Sequence, residues 1–197
     1  MQSNQYKEQT DEELILLFQK NEDRLAYTEL AIRYKDKLKS FVFRFINDDS
    51  TAEDFAQETL IKVYKKKHLY KPVAKFSTWI YTIVQNLAKT ELRKRKRRAT
   101  YNFTDLGNDD MEYVAAAPDQ TGANKEMSSK NDNMIIHESL NELEVEFRNI
   151  IIFRDIQELS YDEVSKILQI PLGTVKSRIN RGRFKLKEII KQKGVTI

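Results

Sequence analysis

The sequence predicts an all-α protein, built as two small helical domains joined by a flexible acidic linker. Three observations lead there. Thr10 with Glu13, and Ser160 with Glu163, each place a hydroxyl residue and a glutamate at capping-box spacing ahead of an apolar run. Apolar residues recur at three- and four-residue intervals through most of the chain. Only three prolines and five glycines occur in 197 residues, too few for the turns of an all-β protein. Hydrophobic residues at 40% suffice for real cores, and charged residues at 32% suit helical surfaces.

The first domain spans residues 1–100. Its opening helix begins near Asp11 and buries Leu14, Leu17 and Phe18. A longer helix, about Arg24 to Ile46, keeps the helical period through Leu30, Ala31, Tyr34, Leu38, Phe41, Val42 and Phe45. Asn47 to Ser50 is a turn, and Ser50 or Thr51 caps a third helix running to about Tyr70, with Phe55, Ala56, Leu60, Val63 and Tyr64 inward. Pro72 interrupts the helical pattern. A fourth helix runs from about Ser77 to Arg98, with Ile80, Ile83, Val84 and Leu87 inward and Thr82, Asn86, Lys89 and Arg93 outward. It ends in a basic run, with seven Lys or Arg against one Glu between Lys89 and Arg98.

Residues 101–133 have no sustained apolar period and are rich in Gly, Asn, Asp and Ser. Seven acids stand there against Lys125 and Lys130, so the local charge is inverted. Such a tether has an r.m.s. span on the order of 30 Å and a full reach of roughly 110 Å. The second domain spans residues 134–197. Ile135, Ile136, Leu140 and Leu143 mark one helix, and Phe147, Ile150, Ile151 and Phe153 mark the next, ending near Leu159.

Ser160 to Leu186 then reads as two short helices with a tight turn. The first buries Val164, Ile167 and Leu168, and Ile170-Pro171 ends it, because a residue before proline avoids the helical region. The second starts near Gly173 and sorts its faces: Val175, Ile179, Gly182 and Leu186 toward the preceding helix, and Lys176, Ser177, Asn180, Arg181 and Phe184 outward. Arg suits guanine, Asn suits adenine, and Ser suits either, so this is the shape of a helix-turn-helix DNA reader.

Little points to catalysis. His68 and His137 are isolated, no phosphate-cradling glycine loop occurs, and there are no cysteines, which excludes disulfides and thiolate metal sites. Glu53, Asp54 and Glu58 cluster beside Gln57 with no convergent polar partner, so a protein-docking or solvated acidic face fits better than an acid–base pair. The net charge is only +4, which makes the placement of charge the informative quantity. The apolar run Leu14–Phe18 is too short to span a membrane, and a soluble cytoplasmic protein is expected. The segment Tyr70 to Trp79 mixes aromatics, lysines and small polar residues at the mouth of the basic helix, a combination suited to unpaired bases and phosphates. Taken alone, Trp79 reads as a core residue; with the Asn86, Lys89 and Arg93 stripe, nucleic acid is the better account of the loop.

Three blocks together resemble the RNA polymerase sigma factors of the extracytoplasmic-function group, within the sigma-70 family. They are Thr51–Leu60, Phe76–Ala88 with the basic run behind it, and Pro171–Arg178. The resemblance implies a promoter-specificity subunit with no catalytic residues, cofactor or metal. Glu53, Asp54, Gln57 and Glu58 would dock on the β′ clamp helices of core RNA polymerase. Phe76, Ser77, Thr78, Trp79, Thr82, Asn86, Lys89 and Arg93 would read and melt the −10 element. Thr174, Lys176, Ser177, Arg178, Asn180 and Arg181 would read the −35 element, with Asn180 and Arg181 setting preference. The acidic linker would thread the basic channel that carries RNA. An anti-sigma factor is a further partner implied by the group, with no direct membrane insertion. Two departures stand out: Gln169 sits at a turn position where the family commonly has glycine, and Phe184 stands among outward charges, where it touches the β flap or ends the stripe. Two rivals remain: a self-sufficient helix-turn-helix regulator, which would bind duplex DNA without polymerase, and a nucleic-acid enzyme built on the Glu53, Asp54 and Glu58 carboxylates.

Overall fold

The computed structural model describes residues 5–105 and 126–194, and among these every regular element is helical. The order is α1 (Asp11–Asn21), α2 (Arg24–Ile46), α3 (Asp49–Lys66), α4 (Phe76–Asp105), α5 (Glu126–Glu142), α6 (Val145–Ile151), α7 (Tyr161–Leu168) and α8 (Leu172–Gln192). Both expected capping boxes form: Thr10 opens α1 and Ser160 opens α7, each with its glutamate bonded back to the cap backbone. The cap of α3 is Asp48 rather than Ser50 or Thr51; its carboxylate accepts from the N–H groups of both, so the helix starts two or three residues earlier. That helix also stops at Lys66, and a 3-10 turn over Lys67–Leu69 replaces its expected last turn.

The linker edges differ from expectation. The α4 helix continues to Asp105 and α5 already begins at Glu126, so both ends of the span 101–133 are helical. Its middle, residues 106–125, lies outside the described residues.

Four non-glycine residues, Glu22, Asn47, Glu158 and Gln169, adopt the left-handed conformation, each just beyond a helical segment. At Asn47 the N–H returns to the Phe43 carbonyl at 2.8 Å, and at Gln169 it returns to Ser165. Each turn thereby satisfies a terminal carbonyl and offsets the steric cost of a Cβ at positive φ. Between α6 and α7 the chain takes a π-helical turn over Ile152–Ile156, closed by the Gln157 N–H on the Ile152 carbonyl at 2.9 Å. The extra residue per turn breaks the register expected to run on to Leu159.

One apolar core runs through both halves of the chain. Helices α1 to α4 supply Phe18, Leu30, Leu38, Phe41, Phe76 and Ile80, and the later helices supply Leu140, Ile150, Ile152, Phe153, Val175 and Ile179. The halves meet where the Phe153 ring packs 4.9 Å from Phe41 and 6.0 Å from Tyr81, and where Phe43 stacks on His137 at 4.8 Å. Phe153, expected in the second domain's own core, therefore faces the first.

Candidate nucleic-acid interface

The helix-turn-helix is built by α7 and α8. Ser165 holds the turn by donating its hydroxyl to the Ile170 carbonyl at 2.6 Å, and the left-handed Gln169 supplies the bend that glycine would otherwise give. Pro171 precedes α8, and its carbonyl accepts from Val175 at 3.0 Å. The inward stripe is as expected: Val175, Ile179 and Gly182 are buried, and Leu186 is packed on the core. Its main neighbour is not the preceding helix alone. A Cβ on Gly182 would stand 3.2 Å from Ile151 Cγ1 and 3.4 Å from Phe147 Cβ, both on α6. Glycine thus suits the close α6–α8 approach, where a Cβ would need Ile151 to give way by a few tenths of an ångström.

The opposite stripe of α8 presents Lys176, Ser177, Asn180 and Arg181, all exposed. Thr174 is half-buried at the helix start, its carbonyl accepting from the Ser177 hydroxyl at 3.1 Å. Arg178 leaves this stripe: its guanidinium pairs with Glu146 of α6 at 2.7 Å, so it helps hold α8 to its support. Phe184 is 67% exposed above a shallow cleft lined by Glu142, Leu143, Glu144, Glu188 and Ile189.

The second candidate surface is the mouth of α4. Phe76 is fully buried, edge-on to Tyr34 and Tyr70, and its N–H donates to the Glu12 carboxylate at 2.8 Å. As folded here it is a core residue and offers no face to a base. Trp79 is half-buried, 5.5 Å from the Tyr70 ring. Ser77 and Thr78 both point to Glu163 of α7, donating to the same carboxylate oxygen at 3.0 and 3.4 Å. Farther along, Thr82 is half-buried with its hydroxyl on the Thr78 carbonyl, Lys89 is half-buried, and Asn86 and Arg93 are exposed on one face. The basic run is not all free for DNA: Arg95 turns inward to Glu91, Asp48, Thr51 and the Ile46 carbonyl, tying α4 to the α2–α3 corner.

The acidic face of α3 is partly neutralised within the chain. Glu53 pairs with Lys35 at 3.5 Å and Lys39 at 3.4 Å, and accepts from Gln57 at 3.2 Å. The Gln57 amide holds the Glu53 carboxyl below its ordinary value; burial opposes this, and the two lysines add to it. Glu58 is bonded to Lys62 at 2.6 Å, while Asp54 and Gln57 are exposed beside the exposed Ile61. Lys35 and Lys39 lie on one stripe of α2, one turn apart; their spacing was visible in the sequence, but the α2–α3 register that brings them to Glu53 was not.

The chain matches the family description "Sigma-70 region 2" over residues 30–98 and "Sigma-70, region 4" over residues 133–186. It is 33% identical to the ECF RNA polymerase sigma factor SigW of Bacillus subtilis, across 86% of this chain and 91% of that one. The chain belongs to the extracytoplasmic-function group of the sigma-70 family. The RNA polymerase sigma-H factor of Pseudomonas aeruginosa is 30% identical, across 89% of this chain and 91% of that one. Among solved structures, the sigma factor RpoE of Bartonella quintana, crystallised with the anti-sigma factor NepR, aligns with a TM-score of 0.67 at 27% identity, covering 84% of this chain and 96% of that one. The region 2 match therefore covers most of α2, all of α3 and most of α4, and the region 4 match covers the end of α5, all of α6 and α7 and most of α8. Membership places the protein in promoter-specific transcription initiation with RNA polymerase. Among the described residues, no helix is long and apolar enough to cross a membrane.

Proposed function

We propose that this sigma factor reads two promoter elements with the two surfaces described above and helps to open the duplex between them. The carrying observation is the exposed stripe of α8, where Lys176, Ser177, Asn180 and Arg181 stand clear on a helix held rigidly by buried Val175, Ile179 and Gly182. A helix so presented fits the major groove, where it reads the −35 element by direct contacts to base edges. The −10 element falls to the α4 mouth, with Ser77, Thr78 and Trp79 at the loop and Thr82, Asn86, Lys89 and Arg93 following the strand. Melting here needs no chemistry: capture of unstacked bases offsets the cost of unpairing them, which is least at pyrimidine–purine steps such as TA.

Core RNA polymerase docks on the α3 face, where Asp54, Gln57 and Glu58 surround the exposed Ile61. Glu53 is the least available of the four acidic-face residues, since Lys35 and Lys39 already pair with it. The β′ clamp helices take that face, the β flap takes region 4, and the protein works in the cytoplasm without catalysis of its own. The solved RpoE structure contains an anti-sigma factor, which supports an anti-sigma partner here as well.

The decisive experiment is reconstituted transcription with core polymerase on a genomic DNA library, mapping the start sites. New start sites sharing two upstream elements are expected when the protein is added. Absence of any new start site overturns the proposal.

A further inference from the structure

Two of the donors assigned to the −10 strand, Ser77 and Thr78, are already held by region 4 in the free chain. Glu163 lies on α7, in region 4, and is only 8% exposed. Its Oε1 accepts from Ser77 Oγ at 3.0 Å and Thr78 Oγ1 at 3.4 Å, while its Oε2 lies 3.7 Å from Lys75 Nζ. Two hydroxyls and an ammonium around two anionic oxygens form the constellation that a DNA phosphate would need. Burial pushes the Glu163 carboxyl up, but bonds from the Ser160 side chain and backbone and from Ser77, with the Lys75 charge, outweigh it, so the group stays ionised. One turn along α4, the Tyr81 hydroxyl bonds Gln157, and the ring packs on Phe153.

We propose that region 4 closes the −10 mouth of region 2 in the free protein, with the Glu163 carboxylate standing in for DNA on Lys75, Ser77 and Thr78. This rests on the −10 assignment made above. The closed form therefore levies a toll on assembly in proportion to its population: binding to core polymerase and DNA weakens by the fraction of molecules that are open.

The chain has no cysteine, so a cysteine pair reports closure cleanly. Phe43 and His137 stack across the two halves and belong to neither DNA surface nor the polymerase face. In the Phe43→Cys/His137→Cys protein, a short bis-maleimide should bridge the halves rapidly when the full chain is free and slowly once core polymerase is added. Glu163→Gln is the second variant, since glutamine still completes the capping box of α7 but lacks the charge. It should slow bridging several-fold and lower, by roughly three- to tenfold, the protein concentration giving half-maximal start-site production with core polymerase, leaving the plateau unchanged. The proposal is overturned if the free chain does not bridge, or if Glu163→Gln alters neither bridging nor the half-maximal concentration. If bridging behaves as expected but no form of the protein directs a start site, the −10 assignment falls and the stand-in role with it; if start sites appear and bridging does not, only the closure falls.

Discussion

The two surfaces proposed to meet DNA are presented in opposite ways in this sigma factor. On α8, Lys176, Ser177, Asn180 and Arg181 stand in solvent, and the helix beneath them is fixed by its own domain. On α4, Phe76 is committed to the core, and Ser77 and Thr78 are committed to Glu163. In the proposed roles, the first surface needs only a duplex groove, and the second needs a change of state before it can meet a strand. The contrast matches the two tasks: double-stranded DNA presents its base edges without rearrangement, whereas an unpaired strand exists only after the duplex opens.

That contrast can be broken at its strongest point. Phe153 is fully buried between Phe41 and Tyr81. Phe153→Ala should cost about 3–5 kcal/mol of stability, the usual range for deleting a buried aromatic ring. Chemical denaturation should show the loss, and bridging between positions 43 and 137 should slow in parallel, because the ring serves both halves. If the midpoint falls but bridging is unaltered, Phe153 belongs to region 4 alone.

A surface substitution sharpens the other side. Asn180 is exposed and makes no side-chain hydrogen bond among the described residues. Asn180→Ala should leave thermal stability within about 0.5 kcal/mol of the parent. In complex with core polymerase it should weaken recognition of one base pair of the upstream element by about 1–3 kcal/mol, read as relaxed specificity at that position. Equal weakening on every promoter would instead make Asn180 a phosphate contact.

The smallest effect is on pH. Burial lowers the His137 pKa below its ordinary 6.5, and Arg44 and Arg148 nearby lower it further, against Glu138 and the Phe43 carbonyl. The open or unfolded chain therefore binds the proton more readily than the closed one. This contribution to closure is complete above the ordinary value and is lost as pH falls through and below it. The parent chain keeps the imidazole, so its compactness is the readout: the radius of gyration from small-angle X-ray scattering should rise between about pH 7.5 and about 5.5, and His137→Phe, which keeps a ring on Phe43, should abolish the rise. A parent chain that grows more compact on acidification contradicts this assignment.

Much of the architecture was legible in the residues. The α1 helix falls where its cap places it, α2 falls where its apolar period does, and the two faces of α8 separate as its 3.6-residue period requires. Local information suffices there, because caps and amphipathic stripes act within a few residues. The left-handed Gln169 was also visible as a glycine-like turn position filled by another residue. The acidic face of α3 and the basic run of α4 were legible as charge, but not as available charge. Lys35 and Lys39 reach Glu53 from another helix, and Arg95 bends to the α2–α3 corner.

What the sequence by itself determined is therefore the set of helices, their buried faces and the family to which the three motif blocks belong. Tertiary structure alone decided which motif residues are free. Glu163 is written in the sequence as half of a capping box, and it fulfils that role with Ser160. Its second oxygen lies against Ser77, a residue 86 positions away, and no periodicity carries that information. Contacts of this kind depend on how two finished surfaces meet, with a loop-closure cost that varies little with the residues between them. The same glutamate that caps the first helix of the helix-turn-helix thus also binds Ser77 and Thr78 at the mouth of α4.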